Sequence, residues 1–187
     1  MRRVTAPVFA ALFASCALAS TVEADEVESP IYRSWANFKV GTTITLRSVT
    51  GAKDREVQTT TTQRLTESNN ERVVLEVVVT SDSTGQKVEN RPQTYVYKRM
   101  FPLFPGVKKE DIGKPPGSQD QGEETIELGG KKYKAQWYGS KGQTEAGPSI
   151  SKTWMSDEVP GKLLKSITRV PAAGKTTTLE LIEIKTP

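Results

Sequence analysis

From Val40 onward the side chains favoured in strands recur at every second position. Val40, Thr42, Ile44 and Leu46 alternate with Gly41, Thr43, Thr45 and Arg47. The period holds through Val57–Leu65, dominated by Thr59 to Thr62, and through Arg72–Thr80, where Val73, Leu75, Val77 and Val79 share one face. Turn signals stand between the runs, at Gly51-Ala52-Lys53-Asp54, Ser68-Asn69-Asn70 and Asp82-Ser83-Thr84-Gly85. Gln93–Met100 reads as the next strand, and Pro92 places its start at an edge or bulge. Thr125–Leu128 and Lys132–Tyr138 flank Gly129-Gly130, a two-residue hairpin turn, with Tyr133, Ala135 and Trp137 on one face. Ile150–Met155, Leu163–Val170 and Thr176–Ile184 complete the series. β-branched and aromatic residues with a turn about every ten positions predict an antiparallel meander of roughly eight to ten strands.

Three segments depart from this rhythm. Tyr32, Trp35 and Phe38 recur every third residue, which predicts one or two helical turns laying aromatics on the core. Residues 101–123 begin with apolar Phe101-Pro102-Leu103-Phe104 and continue charged and rich in Pro and Gly. A loop of this length either crosses over the core or forms a lip whose Phe101, Leu103 and Phe104 face a ligand. Residues 139–149, rich in Gly, Ser and Pro, read as a further loop.

The N-terminus sets the compartment. Arg2 and Arg3 precede an apolar run from Val8 to Leu18, and Ala17-Leu18-Ala19 supplies small residues for a peptidase. Residues 1–19 therefore read as a secretory signal peptide, residues 20–30 as an acidic flexible linker, and residues 31–187 as a single β domain. Localisation is expected to be periplasmic or extracellular. Phe13-Ala14-Ser15-Cys16 also resembles a lipobox loosely. Lipidation of Cys16 would make the chain lipid-anchored and is the one route to membrane contact.

Composition then narrows the chemistry. The formal charge of +4 becomes +2 once Arg2 and Arg3 leave (24 basic against 22 acidic residues), which gives no reason to expect a nucleic-acid partner. The only Cys is Cys16 and there is no His. The mature chain cannot form a disulfide, a Cys/His zinc site, a Cys nucleophile or a His general base. No cofactor and no metal are expected. Ser149-Ile150-Ser151-Lys152 matches a Ser-x-x-Lys nucleophile motif, but it lies in a strand pattern, where residues three apart point to opposite faces. Gly174-Lys175-Thr176 resembles the end of a phosphate loop, but Arg169 stands where that motif needs Gly and a β run follows. Glu110-Asp111, Glu123-Glu124 and Asp157-Glu158 read as solvated acids. Lys108-Lys109 and the lysines at 131, 132 and 134 read as strand-edge lysines.

The most distinctive stretch runs from Thr153 to Lys165, with Trp154-x-Ser156-x-x-Val159-Pro160-Gly161-x-x-x-Lys165. It resembles a pattern in uncharacterised exported bacterial β proteins, whose start is similar to Trp35-x-x-Phe38-x-x-Gly41-Thr42 here. Those proteins look like the half-barrel of the LolA/LolB/LppX superfamily of lipoprotein carriers. The resemblance implies one strongly curved antiparallel sheet, a half-barrel or open barrel, with a short N-terminal helix. It also implies a hydrophobic ligand held on the concave face, and it transfers no catalytic residue.

The expectation is an exported envelope binding protein, not an enzyme, that holds a lipid or acyl ligand. Candidate ligand-binding residues are Tyr95, Tyr97, Phe101, Leu103, Phe104, Trp137 and Trp154. The alternative is a structural or protein-interaction module of the cell envelope, with a filled core and exposed aromatics that meet another envelope protein.

Overall fold

The structure is a computed structural model and describes residues 25–52, 55–83 and 86–187. The expected signal peptide, Cys16 and parts of the turns at 51–54 and 82–85 lie outside the described residues.

The chain opens with β1 (Glu26–Glu28) and α1 (Pro30–Trp35). Ser29 caps the helix, its hydroxyl accepting the Tyr32 N–H at 3.3 Å, and Pro30 occupies the first turn, where its missing donor is not needed. Tyr32 and Trp35 are buried, as the aromatic spacing predicts. β2 (Thr43–Ala52), β3 (Arg55–Ser68) and β4 (Arg72–Ser83) form an antiparallel meander. β5 (Gln86–Glu89) and β6 (Gln93–Lys98) pair in succession along the far side of β4, so Pro92 stands at an edge. β7 (Met100–Pro102) leaves this sheet and pairs with β1. A crossover then leads to the second meander of β8 (Ser118–Leu128), β9 (Lys131–Thr144), β10 (Gly147–Met155), β11 (Leu163–Val170) and β12 (Lys175–Lys185).

β12 pairs with β2 and joins the two meanders into one ten-stranded antiparallel sheet. Its outer strands, β5/β6 and β8, do not pair with each other, so the barrel is open. Register shifts at Leu65/Glu67, Leu181/Glu183 and Trp154/Met155 lie toward the end where α1 packs. Bulges bend strands and raise their twist, and here they curl the sheet around the helix. The core beneath it gathers Ile44, Leu46, Leu65, Val73, Leu75, Leu164 and Leu181 against Tyr32 and Trp35. The Tyr32 hydroxyl donates to the Asn69 carbonyl at 3.0 Å, and the Gly161 N–H donates to the Ser34 carbonyl at 3.1 Å, tying α1 to both meanders.

Two segments read as irregular are more ordered than their composition suggests. Residues 139–149 form the outer half of a β9–β10 hairpin, paired from Gly139↔Lys152 to Thr144↔Gly147. Gly and Ser there leave room for neighbouring strands: a Cβ on Gly142 would stand 3.2 Å from the Ser149 hydroxyl. Within 101–123, β7 precedes the crossover and β8 already begins at Ser118.

Candidate functional site

A cleft of about 1120 Å³ lies between α1, the crossover and the β8–β9–β10 half of the sheet. Pro30, Ile31 and Arg33 contribute from the helix, Ile112 to Pro115 from the crossover, and Gln136, Tyr138, Thr153 and Met155 from the strands. The β10–β11 turn closes one end with Asp157, Gly161 and Lys162. The walls mix apolar side chains with paired charges. Lys162 meets Asp157 at 2.5 Å and Lys114 meets Asp111 at 3.2 Å. Burial pushes the Tyr138 phenol above its ordinary range. Among the described residues no group of three or more His, Cys, Asp or Glu is placed to hold a metal.

Beyond the core, the α1-facing side of the sheet changes character. Register places Thr50, Thr177, Thr168, Ser151, Ser140 and Ser118 in one row across six strands. A second row runs through Ser81, Thr59, Ser48, Leu179, Ser166 and Thr153. Leu179 lies two residues from buried Leu181, so these rows share the face of the core. Hydroxyls pair across strands: Thr50 with Thr177 at 3.0 Å, Ser151 with Thr168 at 2.9 Å and Thr153 with Ser166 at 2.9 Å.

The seven aromatic and apolar candidates fall in separate places. Tyr95 and Tyr97 stack on β6 with ring centroids 6.4 Å apart. Tyr97 packs against the core, and burial, followed by the neighbouring Tyr95, raises its phenol pKa. Tyr97 and Phe101 line a smaller hollow of about 630 Å³ with Pro30 and Ile31. Leu103 donates its N–H to the Asp25 carbonyl at 2.7 Å and is half-buried. Phe104 is 65% exposed.

Trp137 and Trp154 stand opposite each other on β9 and β10, and neither lines the large cleft. Trp154 also faces Lys165, whose partner Glu180 binds Arg47 at 2.6 Å, while neighbouring Thr153 faces Ser166. The two tryptophans therefore share the side of the sheet away from the hydroxyl rows. The Lys152 ammonium stands 4.5 Å from the Trp137 ring centre and 4.6 Å from that of Trp154, and it meets Glu124 at 3.1 Å. The Trp154 indole N–H donates to Glu124. That hydrogen bond, then Lys152, holds the Glu124 carboxyl below the usual range. Trp154 is nevertheless buried and clusters with Tyr133 and Ala135, with half-buried Trp137 packed against them, and Lys152 and Glu124 dress the polar edge of this group.

None of the seven ligand-binding candidates lines the cleft or stands in the rows. The Thr runs at 59–62 and 176–178 are the visible signal, but they acquire a common face only through long-range register.

No protein-family model matches the chain, and no curated protein does. Solved structures do match. One is an exported-protein candidate with a YmcC-like fold from Bacteroides fragilis, at 11% identity and TM-score 0.47, covering 81% of this chain and 99% of that one. Another is a DUF1329 family protein from Desulfovibrio piger, at 9% identity and TM-score 0.28, covering 84% and 90%. The lipoprotein LppX of Mycobacterium tuberculosis matches at 9% identity and TM-score 0.36, covering 78% of this chain and 87% of that one.

Proposed function

We propose that the protein is an exported, envelope-associated binding protein that holds a lipid or acyl ligand on the concave side of its open sheet, without catalysis. The observation that carries this reading is the cleft of about 1120 Å³ on the side where α1 and the crossover approach β8–β10. Ile31, Ile112, Met155 and Leu163 supply apolar wall there, and a few polar groups orient a ligand. Tyr97 and Phe101, in the adjoining hollow, extend the apolar surface along α1. Binding would proceed by burial. A long acyl chain leaving water gains on the order of 10 kcal/mol before ordering costs.

The second reading is an interaction module of the envelope. Val96, Met100, Phe104 and Val107 are exposed along β6, β7 and the crossover, which favours contact with another protein.

Native mass spectrometry of the protein exported from a lipid-containing bacterial host separates the two. A discrete added mass lost on solvent extraction supports the carrier. A clean ligand-free mass, with no uptake of added fatty acid or lipoprotein acyl chain, overturns it and favours the module.

A further inference from the structure

We infer that the hydroxyl rows form a second part of the ligand site, which takes a neutral polyhydroxylated group such as a sugar or glycerol headgroup. This rests on the binding role proposed above and narrows its ligand to an uncharged amphiphile.

Three features of the rows point this way. Apart from Leu179, which packs against the core, the side chains are small and half-buried, so they leave space above the floor rather than filling it. They are uncharged, whereas Arg47, Lys152, Lys165 and Glu180 stand on the opposite side of the same strands. Their hydrogen-bonding capacity is also only partly used. In each of the pairs Thr50–Thr177, Ser151–Thr168 and Thr153–Ser166 one hydroxyl donates and the other accepts. The accepting hydroxyl keeps its own proton free, and both oxygens keep lone pairs.

An acyl chain laid across this floor would strip water from those groups and return nothing, which is unfavourable. A polyol offers alternating donors and acceptors and replaces that water. The core gives the same division of labour. Its apolar end is already covered by Tyr32 and Trp35, so the free surface further along the strands is the hydroxyl-bearing part.

The test titrates the exported protein, by calorimetry below micelle concentrations, with n-dodecyl-β-maltoside, dodecanoate and maltose. Amide shifts of the wild-type protein are followed in parallel by NMR. The expected result is saturable maltoside binding about tenfold tighter than dodecanoate, as two or three added hydrogen bonds would give. Shift changes should centre on Ser151, Thr168 and Thr177. Thr168→Val, which keeps the strand-favouring shape, should weaken maltoside binding several-fold and leave dodecanoate unchanged. Saturable binding of maltose alone at the same residues would also support the inference. Equal or tighter dodecanoate binding, with shifts elsewhere and no effect of Thr168→Val, would overturn it while leaving an acyl carrier intact. If neither amphiphile binds, the carrier role and this inference fall together.

Discussion

Gly122 lies directly against Trp137: a Cβ added to the glycine would stand 2.8 Å from the indole nitrogen and 2.9 Å from the adjoining ring carbons. The two residues are register partners on β8 and β9, so the indole covers the neighbouring strand where no side chain rises to meet it. Gly122→Ala must displace the ring and disturb its packing beside Trp154 and Lys152. The expected loss is about 1–3 kcal/mol, the usual range for overpacking a filled site. Chemical denaturation of the two proteins, read by tryptophan fluorescence, checks both the loss and the ring's movement.

The core gives a sharper contrast. Leu65 is fully buried at the β3 bulge, whereas Val96 on β6 is exposed. Leu65→Ala should destabilise by about 2–5 kcal/mol, since the bulge and the α1 plug limit how far the site can collapse. Val96→Ala should stay within about 0.5 kcal/mol. Urea midpoints for the two variants give the comparison, and equal losses would show that the free edge is packed in solution.

Much of the architecture was legible because its causes are local. Alternation at Ile44–Leu46 and Val73–Val79 marks half-buried strands wherever they pair, and Gly129-Gly130 adopts the positive φ angles of +58° and +78° that a two-residue hairpin demands. Tyr32 and Trp35 fall on the core because three-residue spacing keeps them on one helical face. The 139–149 hairpin was hidden because Gly and Ser serve a loop and a close-packed ladder equally well. The site was less legible still. Trp154 is conspicuous as a large aromatic, but a one-residue step in β10 decides which face it occupies. Thr153 turns toward the cleft and Trp154 away from it. The fate of each residue follows from register with β11, which no local pattern specifies.

Glu124 offers a pH-dependent readout of the outer cluster. Its carboxylate accepts from the Trp154 indole and pairs with Lys152, both of which favour the charged form and lower its pKa, against a smaller opposing effect of burial. A group with a depressed native pKa contributes stability that is present above its unfolded pKa and lost as pH falls through the native value. The Trp154 indole N–H resonance should therefore hold its position on acidification from neutral pH and move only below the ordinary glutamate range. Lys152→Met should shift that inflection upward. An inflection at the ordinary value in the wild-type protein would show that the Trp154–Glu124 contact does not persist in solution.

The cleft itself can be tested by filling it. Met155 is half-buried at the end of β10, beside Leu163 and the turn that carries Gly161. Trp at this position would occupy cleft volume rather than core volume, so the expected stability change is small, within about 1.5 kcal/mol. If an acyl chain is held between α1 and β10, Met155→Trp should weaken fatty-acid uptake about tenfold or more, equivalent to about 1.4 kcal/mol or more of lost binding free energy. Fluorescence displacement of a lipophilic probe measures that uptake, and a thermal melt of the same preparation separates blocked binding from misfolding. Undiminished uptake with an unchanged melt would place the ligand elsewhere on the sheet, in which case the hollow beside Tyr97 and Phe101 becomes the next position to fill.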